Sequence, residues 1–270
     1  MRIKLRPPYT DYTFFREKRG LDSVEYAIDL SILAYSDVDF ILKLFGIKDA
    51  QRGPELTMYQ WVVGDNTTST CNMPNPLEMY ILNKANTQVL ILVYEDVTLV
   101  VFRGTLGIKN WESDLDAFMT HDGFHRGFWD IWTQVSEFVK DHTFAKEVVL
   151  TGHSLGGAMA AIAATQLKDT CVIKHLVTFG QPRFGNHNAT NMIDHGAIQK
   201  YSRYINGDDI VPTVPLRHFG FIGVGDVIEL PTTKHNWWDI STEFPYIFTE
   251  EVFNHIPTLC YAEYIWKGAK

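Results

Sequence analysis

Val148-Val149-Leu150-Thr151-Gly152-His153-Ser154-Leu155-Gly156-Gly157 is the stretch whose reading decides the fold. Val148 to Thr151 are apolar or β-branched, which predicts a short buried strand. A Gly-x-Ser-x-Gly turn follows, and Ala158-Met159-Ala160-Ala161 opens a helix of small residues. A serine at the apex of a sharp strand-to-helix turn is pushed out of the sheet, so its hydroxyl meets whatever lies above. Gly152 and Gly156 lack a Cβ, which lets the backbone fold tightly around it. The helix begins with free N–H groups, which suit a developing negative charge. Ser154 is therefore a candidate nucleophile. The same five letters in an ordinary glycine-rich turn would carry no chemistry. The strand before and the helix after separate the two readings.

The rest of the chain is consistent with one large α/β unit. Its 270 residues suit a single domain built on one sheet, and the 46% apolar content is enough for a substantial core. Only 21% of residues are charged, which excludes wholesale disorder. The formal net charge of −8 argues against a nucleic-acid partner and does not favour anionic membranes. Cys71, Cys171 and Cys260 are far apart and odd in number, the usage of a protein that does not depend on disulfides. Arg2, Lys4 and Arg6 are not followed by the apolar run of a secretory signal. The longest apolar runs, Val89–Tyr94 and Leu99–Phe102, are too short to span a bilayer. The expectation is a cytoplasmic protein, one exported without a leader, or one whose leader is not part of this sequence.

Taken in order, residues 1–20 read as an aromatic arm laid on the domain. Asp22-Ser23 starts a helix whose apolar positions recur at helical spacing up to Tyr35. Residues 46–76 read as loops with one short helix. Gln88–Tyr94 and Val97–Phe102, separated by Glu95-Asp96, predict a hairpin. Past Phe102-Arg103-Gly104-Thr105, residues 106–118 put Ile108, Trp111, Leu115 and Phe118 on one helical face. That is a surface helix or a mobile lid. His121 and His125 stand four apart, but no third ligand stands nearby, so they read as a structural turn and no metal site is expected. A helix at Trp129–Val139 and strands at Cys171–Phe179 and Tyr201–Ile205 follow. Phe221–Leu230 reads as an antiparallel edge hairpin, and Pro257–Trp266 as a last helix. The predicted architecture is a single α/β-hydrolase-type domain over residues 1–270, with a mostly parallel sheet and helices on both faces.

A serine needs a base within reach and a group that orients the base. In this fold the acid and then the histidine follow the serine, each in a loop after a later strand. Asp208 and Asp209 lie just past the strand ending at Ile205. Asp209 is the choice, because the Pro212 turn stiffens its backbone, while Asp208 suits a solvated turn. Three histidines follow: His218 in a proline-bounded loop, His235 after the edge hairpin, and His255 in the loop entering the last helix. His255 has the usual layout for the base, and His235 is the alternative. The oxyanion donors should be the N–H of Leu155 and a group at Thr105.

Together these residues resemble the class 3 lipase family, the fungal-type triacylglycerol lipases. The resemblance rests on Phe102-Arg103-Gly104-Thr105, Asn110-Trp111 with Asp114-Leu115, His125-Arg126-Gly127-Phe128, Thr151 to Gly157, Phe179-Gly180-Gln181-Pro182-Arg183 with Gly185-Asn186, and Asp209-Ile210-Val211-Pro212. It implies Ser154 as nucleophile, Asp209 as acid, Thr105 as an oxyanion residue, and a lid at 106–118 anchored by Trp111. The family's histidine often precedes an aromatic in a C-terminal helix, which His255 with Tyr261 and Tyr264 matches. The implied activity is hydrolysis of acylglycerol or related lipid esters at a lipid–water interface, through an acyl-enzyme, with no cofactor and no metal. A phospholipase A1 or a feruloyl-type aryl esterase would use the same machinery. A catalytically silent interaction protein on the same fold is the rival of another class.

Overall fold

A computed structural model describes residues 12–47, 51–52, 58–62, 72–84, 87–105, 118–143, 145–193, 196–232 and 255–268. Residues 106–117 of the expected lid, with Ile108, Trp111 and Leu115, lie outside these residues, and so do Cys71, His235 and the first half of the arm.

Among the described residues, nine strands form one sheet in chain order: β1 (Gln51–Arg52), β2 (Met58–Val62), β3 (Glu78–Lys84), β4 (Thr87–Val93), β5 (Val97–Phe102), β6 (Glu147–His153), β7 (Val172–Phe179), β8 (Tyr201–Asn206) and β9 (Asp226–Leu230). β1 to β5 pair antiparallel; β5 to β9 pair parallel. The change of direction at β5 follows from connection length. The short connections from β3 to β4 and from β4 to β5 can only reverse the chain, whereas the long excursion from Phe102 to Glu147 carries a helix and brings the chain back in the same direction. β4 and β5 are buried along their whole length, as the central strands of a sheet covered on both faces must be.

Two apolar layers cover the sheet. On one face lie α1 (Val24–Leu33), α2 (Val38–Leu44) and the C-terminal segment, packed on Met79, Ile81, Leu90, Leu92, Leu99 and Val101. On the other lie α3 (Arg126–Asp141) and α4 (Leu155–Leu167), packed on Leu82, Val89, Ile91, Val100, Val148 and Leu150. The alternation along β4 and β5 assigns successive side chains to opposite layers. Each fully buried Leu or Ile contributes roughly 1.5–3 kcal/mol by leaving water. α1 starts where the sequence places it, with the Ser23 hydroxyl accepting from the Tyr26 N–H. It is then held to β6 by polar contacts: the Ser31 hydroxyl donates to the Ala27 carbonyl and lies 3.0 Å from the Thr151 hydroxyl. A buried carboxylate, Asp29, ties the two ends of the chain to this helix. It accepts from Tyr12 Oη at 2.7 Å, the Phe15 N–H at 2.5 Å and Trp266 Nε1 at 2.8 Å.

Two expectations need correction, and the last helix holds with a different first turn. Residues 46–76 contain strands β1 and β2 rather than only loops and a helix. The expected edge hairpin at 221–230 is a single strand, β9, parallel to β8, and Ile222 makes only an isolated bridge to Gly185. The chain from Asn206 runs through two short 3₁₀ turns, Val211–Thr213 and Arg217–Phe219, long enough to return parallel. The last helix is a π-helical turn at Pro257–Ala262 before a short α-helix, α5 (Glu263–Trp266). The wider turn coincides with Tyr261 reaching in to the sheet, as below.

Candidate active site

The β6–α4 junction is a strained elbow. Ser154 has φ 58° and ψ −130°, a region that residues with a Cβ rarely enter. The surroundings hold it there. Its N–H donates to the Phe179 carbonyl at 2.9 Å, and its own carbonyl accepts from Gly157 and Ala158 at 2.9 and 3.3 Å. The glycines of the motif are required by contact. A Cβ on Gly156 would fall 2.0 Å from the Phe102 carbonyl oxygen, and one on Gly152 would fall 2.3 Å from the Gly156 carbonyl carbon. Leu155 opens α4, so no residue four back within the helix can accept its N–H. The loop after β5 presses on the elbow as well: a Cβ on Gly104 would lie 3.1 Å from Ser154 Cβ. Thr105, next in chain, is half-buried.

Asp209 and His255 meet under this elbow. His255 Nδ1 lies 2.7 Å from Asp209 Oδ2, and both side chains are essentially inaccessible to solvent. A carboxylate only accepts, so Nδ1 carries the hydrogen. The other Asp209 oxygen accepts from the Val211 N–H at 2.9 Å, which fixes the carboxylate plane. Tyr261 Oη donates to Oδ2 as well, and itself accepts from the Asn206 N–H at 3.2 Å. Burial, then the adjacent Asp209 charge, push the Tyr261 phenol well above its ordinary value, so it stays a donor. Gly180, at φ +56°, makes room for the pair. A Cβ there would fall 2.7 Å from His255 Cε1 and 2.9 Å from Asp209 Oδ2. His255 Nε2 is buried with no hydrogen-bond partner, and among the described residues no bond joins it to the Ser154 hydroxyl. Catalytic hydrogen bonds are often long without substrate.

The structure thus brings together Asp209, His255 and, through the Phe179-Gly180 backbone, Ser154 with Leu155, Gly104 and Thr105. Asp208 is exposed. His218 is also exposed, on the 3₁₀ turn Arg217–Phe219. Phe118, the one described member of the expected lid face, is 66% exposed. His121 lies on the surface, and His125 caps α3 by accepting from the Phe128 N–H. No group of three metal-binding side chains occurs among the described residues. The reading from sequence gave no part to Tyr35, and none to His153 beyond its place in the motif. Nothing in the local pattern marks Tyr35, which sits just past the end of an apolar helix.

A mixed sheet whose parallel half carries a serine elbow on a central strand, with an Asp and a His in loops beyond later strands, is the α/β-hydrolase fold. A mutant form of MDLA from Penicillium cyclopium shares it at a TM-score of 0.53 and 23% identity, covering 78% of this chain and 80% of that one. The model of the class 3 lipase family matches residues 99–219, the segment carrying β5, the elbow and Asp209. A secreted mono- and diacylglycerol lipase from Fusarium solani is 32% identical over 136 residues, 46% of this chain and 40% of its own length. A lipase from Rhizomucor miehei is 32% identical over 150 residues, 49% of this chain and 41% of its own length. The matches therefore span about two fifths of these relatives. Among the described residues no helix is long and apolar enough to cross a membrane.

Proposed function

We propose that this chain is a serine carboxylic-ester hydrolase that cleaves acylglycerols or related lipid esters through an acyl-enzyme. The observation that carries the reading is the buried His255–Asp209 pair at 2.7 Å, set against the Ser154 elbow. Ser154 Oγ attacks the ester carbonyl while His255 Nε2 takes its proton, and Asp209 keeps Nδ1 protonated and the ring oriented. The carbonyl oxygen becomes an oxyanion, stabilised by the Leu155 N–H and by Thr105. Collapse expels the alcohol, which takes the proton from Nε2. Water then repeats the steps on the acyl-enzyme and releases the acid. The chemistry needs neither metal nor cofactor.

The names of the curated relatives support a lipid-ester substrate. So does the exposed apolar surface beside Asp209, where Ile210, Leu216 and Phe219 are 41%, 46% and 51% exposed. A lid at 106–118 would extend that surface at a lipid–water interface. One shared sheet through all nine strands supports a single domain.

The test compares Ser154→Ala, His255→Ala and His235→Ala on one chromogenic ester. Turnover should fall on the order of 10⁴-fold or more for the first two and hold for the third. Loss of turnover in His235→Ala with His255→Ala active would overturn the assignment of the base. A panel of acyl lengths decides the substrate class, since a preference confined to short or aromatic acids would exclude a lipase. Equal activity on emulsified and monomeric ester would count against the lid.

A further inference from the structure

His153 stands between Gly152 and Ser154, and its ring is buried beneath the elbow. Both ring nitrogens are engaged. Nε2 lies 2.8 Å from the main-chain carbonyl oxygen of His255, and Nδ1 lies 2.9 Å from Tyr35 Oη. A carbonyl only accepts, so Nε2 carries the hydrogen. Burial, then the neighbouring His255, hold the His153 pKa well below its ordinary value, so the ring is neutral. A neutral ring with Nε2–H has a lone pair on Nδ1, and the Tyr35 hydroxyl must be its donor. Tyr35 thereby fixes one tautomer of His153, and that tautomer is the one able to hold the His255 backbone. The two imidazoles also pack against each other, with centroids 4.4 Å apart and planes tilted by 35°.

Space is made for this chain of contacts. A Cβ on Gly104 would lie 2.2 Å from Tyr35 Oη and 2.6 Å from the His153 carbonyl. Tyr35 follows α1, which is anchored to β6 through Ser31 and Thr151. The chain thus runs from α1 through the elbow to the loop that presents His255.

We infer that His153 is a positioning residue, which pins the backbone of His255 to the serine elbow, and that Tyr35 sets the tautomer with which it does so. The inference rests on the proposed role of His255 as base. Asp209, itself held by Tyr261, fixes the far side of the His255 ring, and His153 holds its main chain. The position of Nε2 relative to Ser154 is fixed only when both constraints act. Releasing one lets the imidazole drift from the serine, and a misplacement on the order of 1 Å costs up to about 10²-fold in rate. Substrate binding does not depend on this contact, so the loss falls on kcat.

The experiment measures kcat, KM and the melting temperature for wild type, Tyr35→Phe, His153→Phe, His153→Gln and His255→Ala on p-nitrophenyl butyrate. Phe at 153 keeps the ring and removes the donor; Gln keeps an N–H able to reach the carbonyl. The expected result is a kcat lowered roughly 10- to 100-fold in His153→Phe with KM within about twofold, partial recovery in His153→Gln, and a loss of about 3- to 10-fold in Tyr35→Phe. A kcat for Tyr35→Phe and His153→Phe within twofold of wild type would overturn the inference, and so would a Gln variant no better than Phe. If His153→Phe does not fold, Tyr35→Phe, which loses one hydroxyl at a half-buried site, decides the matter alone. Full turnover in His255→Ala would instead bring down the role of His255 as base, a failure distinct from that of the positioning role.

Discussion

Replacing Ser154 with glycine should abolish turnover and stabilise the protein relative to Ser154→Ala. Ser154 sits at φ 58° and ψ −130°. Its hydroxyl makes no capping bond to α4, so Ser154→Ala removes the nucleophile and leaves the backbone conflict, because the Cβ remains. A side chain forced into such a region costs about 1–3 kcal/mol. Glycine relieves that cost and gives back about 0.5–1 kcal/mol through the greater freedom of its unfolded chain. The net gain over alanine is about 0.5–2 kcal/mol. Unfolding entropy of about 2.1 cal/mol/K per residue, over 270 residues, converts this to a rise of about 1–4 °C. Differential scanning calorimetry of wild type and both variants in one buffer measures it. A Ser154→Gly protein melting below Ser154→Ala would refute the reasoning. It would mean that the bonds from Ser154 to Phe179, Gly157 and Ala158 require nothing costly of the backbone.

Three further outcomes follow from the same geometry. Gly180→Ala should lower kcat on the order of 10²-fold, because its Cβ would fall 2.7 Å from the His255 ring; stopped-time ester assays check this, and an unaltered kcat would show that the pair can move freely. Tyr261→Phe should cost about 1–3 kcal/mol in urea unfolding, since it takes a donor from Asp209 and leaves the Asn206 N–H without its acceptor; a change under 0.5 kcal/mol would argue against the bond. Asp29 should give a pH-dependent stability: burial pushes its pKa up from 3.8 to about 6, against the bonds from Trp266, Tyr12 and the Phe15 N–H, so the folded protein binds the proton more tightly than the unfolded chain. Relative to Asp29→Asn, wild type should gain up to ~3 kcal/mol as pH falls from above 6 to below 3.8, and lose it as pH rises back through about 6; parallel stability curves for the two proteins across that range would exclude it.

The sequence was most readable where one residue type alone satisfies a local constraint. Gly152 and Gly156 can be nothing larger, because a Cβ would meet backbone, and so the elbow announces itself in five letters. The Ser23 cap and the Glu95-Asp96 turn were legible for the same reason: the side chain or the turn acts within a few residues. The parallel pairing of β9 is not legible, because its direction depends on the path of the chain from Asn206, which no pattern inside Asp226–Leu230 records. β2 was missed because Met58–Val62 lacks the long alternation that marks a strand. The Asp209–His255 pairing is non-local, yet chain order foreshadowed it, since loops beyond consecutive parallel strands all open on one edge of a sheet.

The architecture also explains why the polar contacts beneath the elbow are divided among distant segments. A strained serine turn is stable only if its neighbours cannot relax, and here each neighbour is fixed by another part of the chain. Phe179 on β7 holds the Ser154 N–H. Gly180 then leaves space for a histidine that arrives 75 residues later in the sequence. That histidine is held by Asp209 from β8 at its ring and by His153 from β6 at its backbone, while Tyr261 returns from the C-terminal segment to hold Asp209. Asp29 on α1 draws the C-terminal helix in through Trp266, so the segment that carries His255 and Tyr261 is clamped at its far end too. Residues that never approach the ester therefore determine where Nε2 stands. Substitutions at Asp29, Tyr35 or Trp266 should consequently appear in the kinetics as a lowered kcat before they appear as a loss of fold.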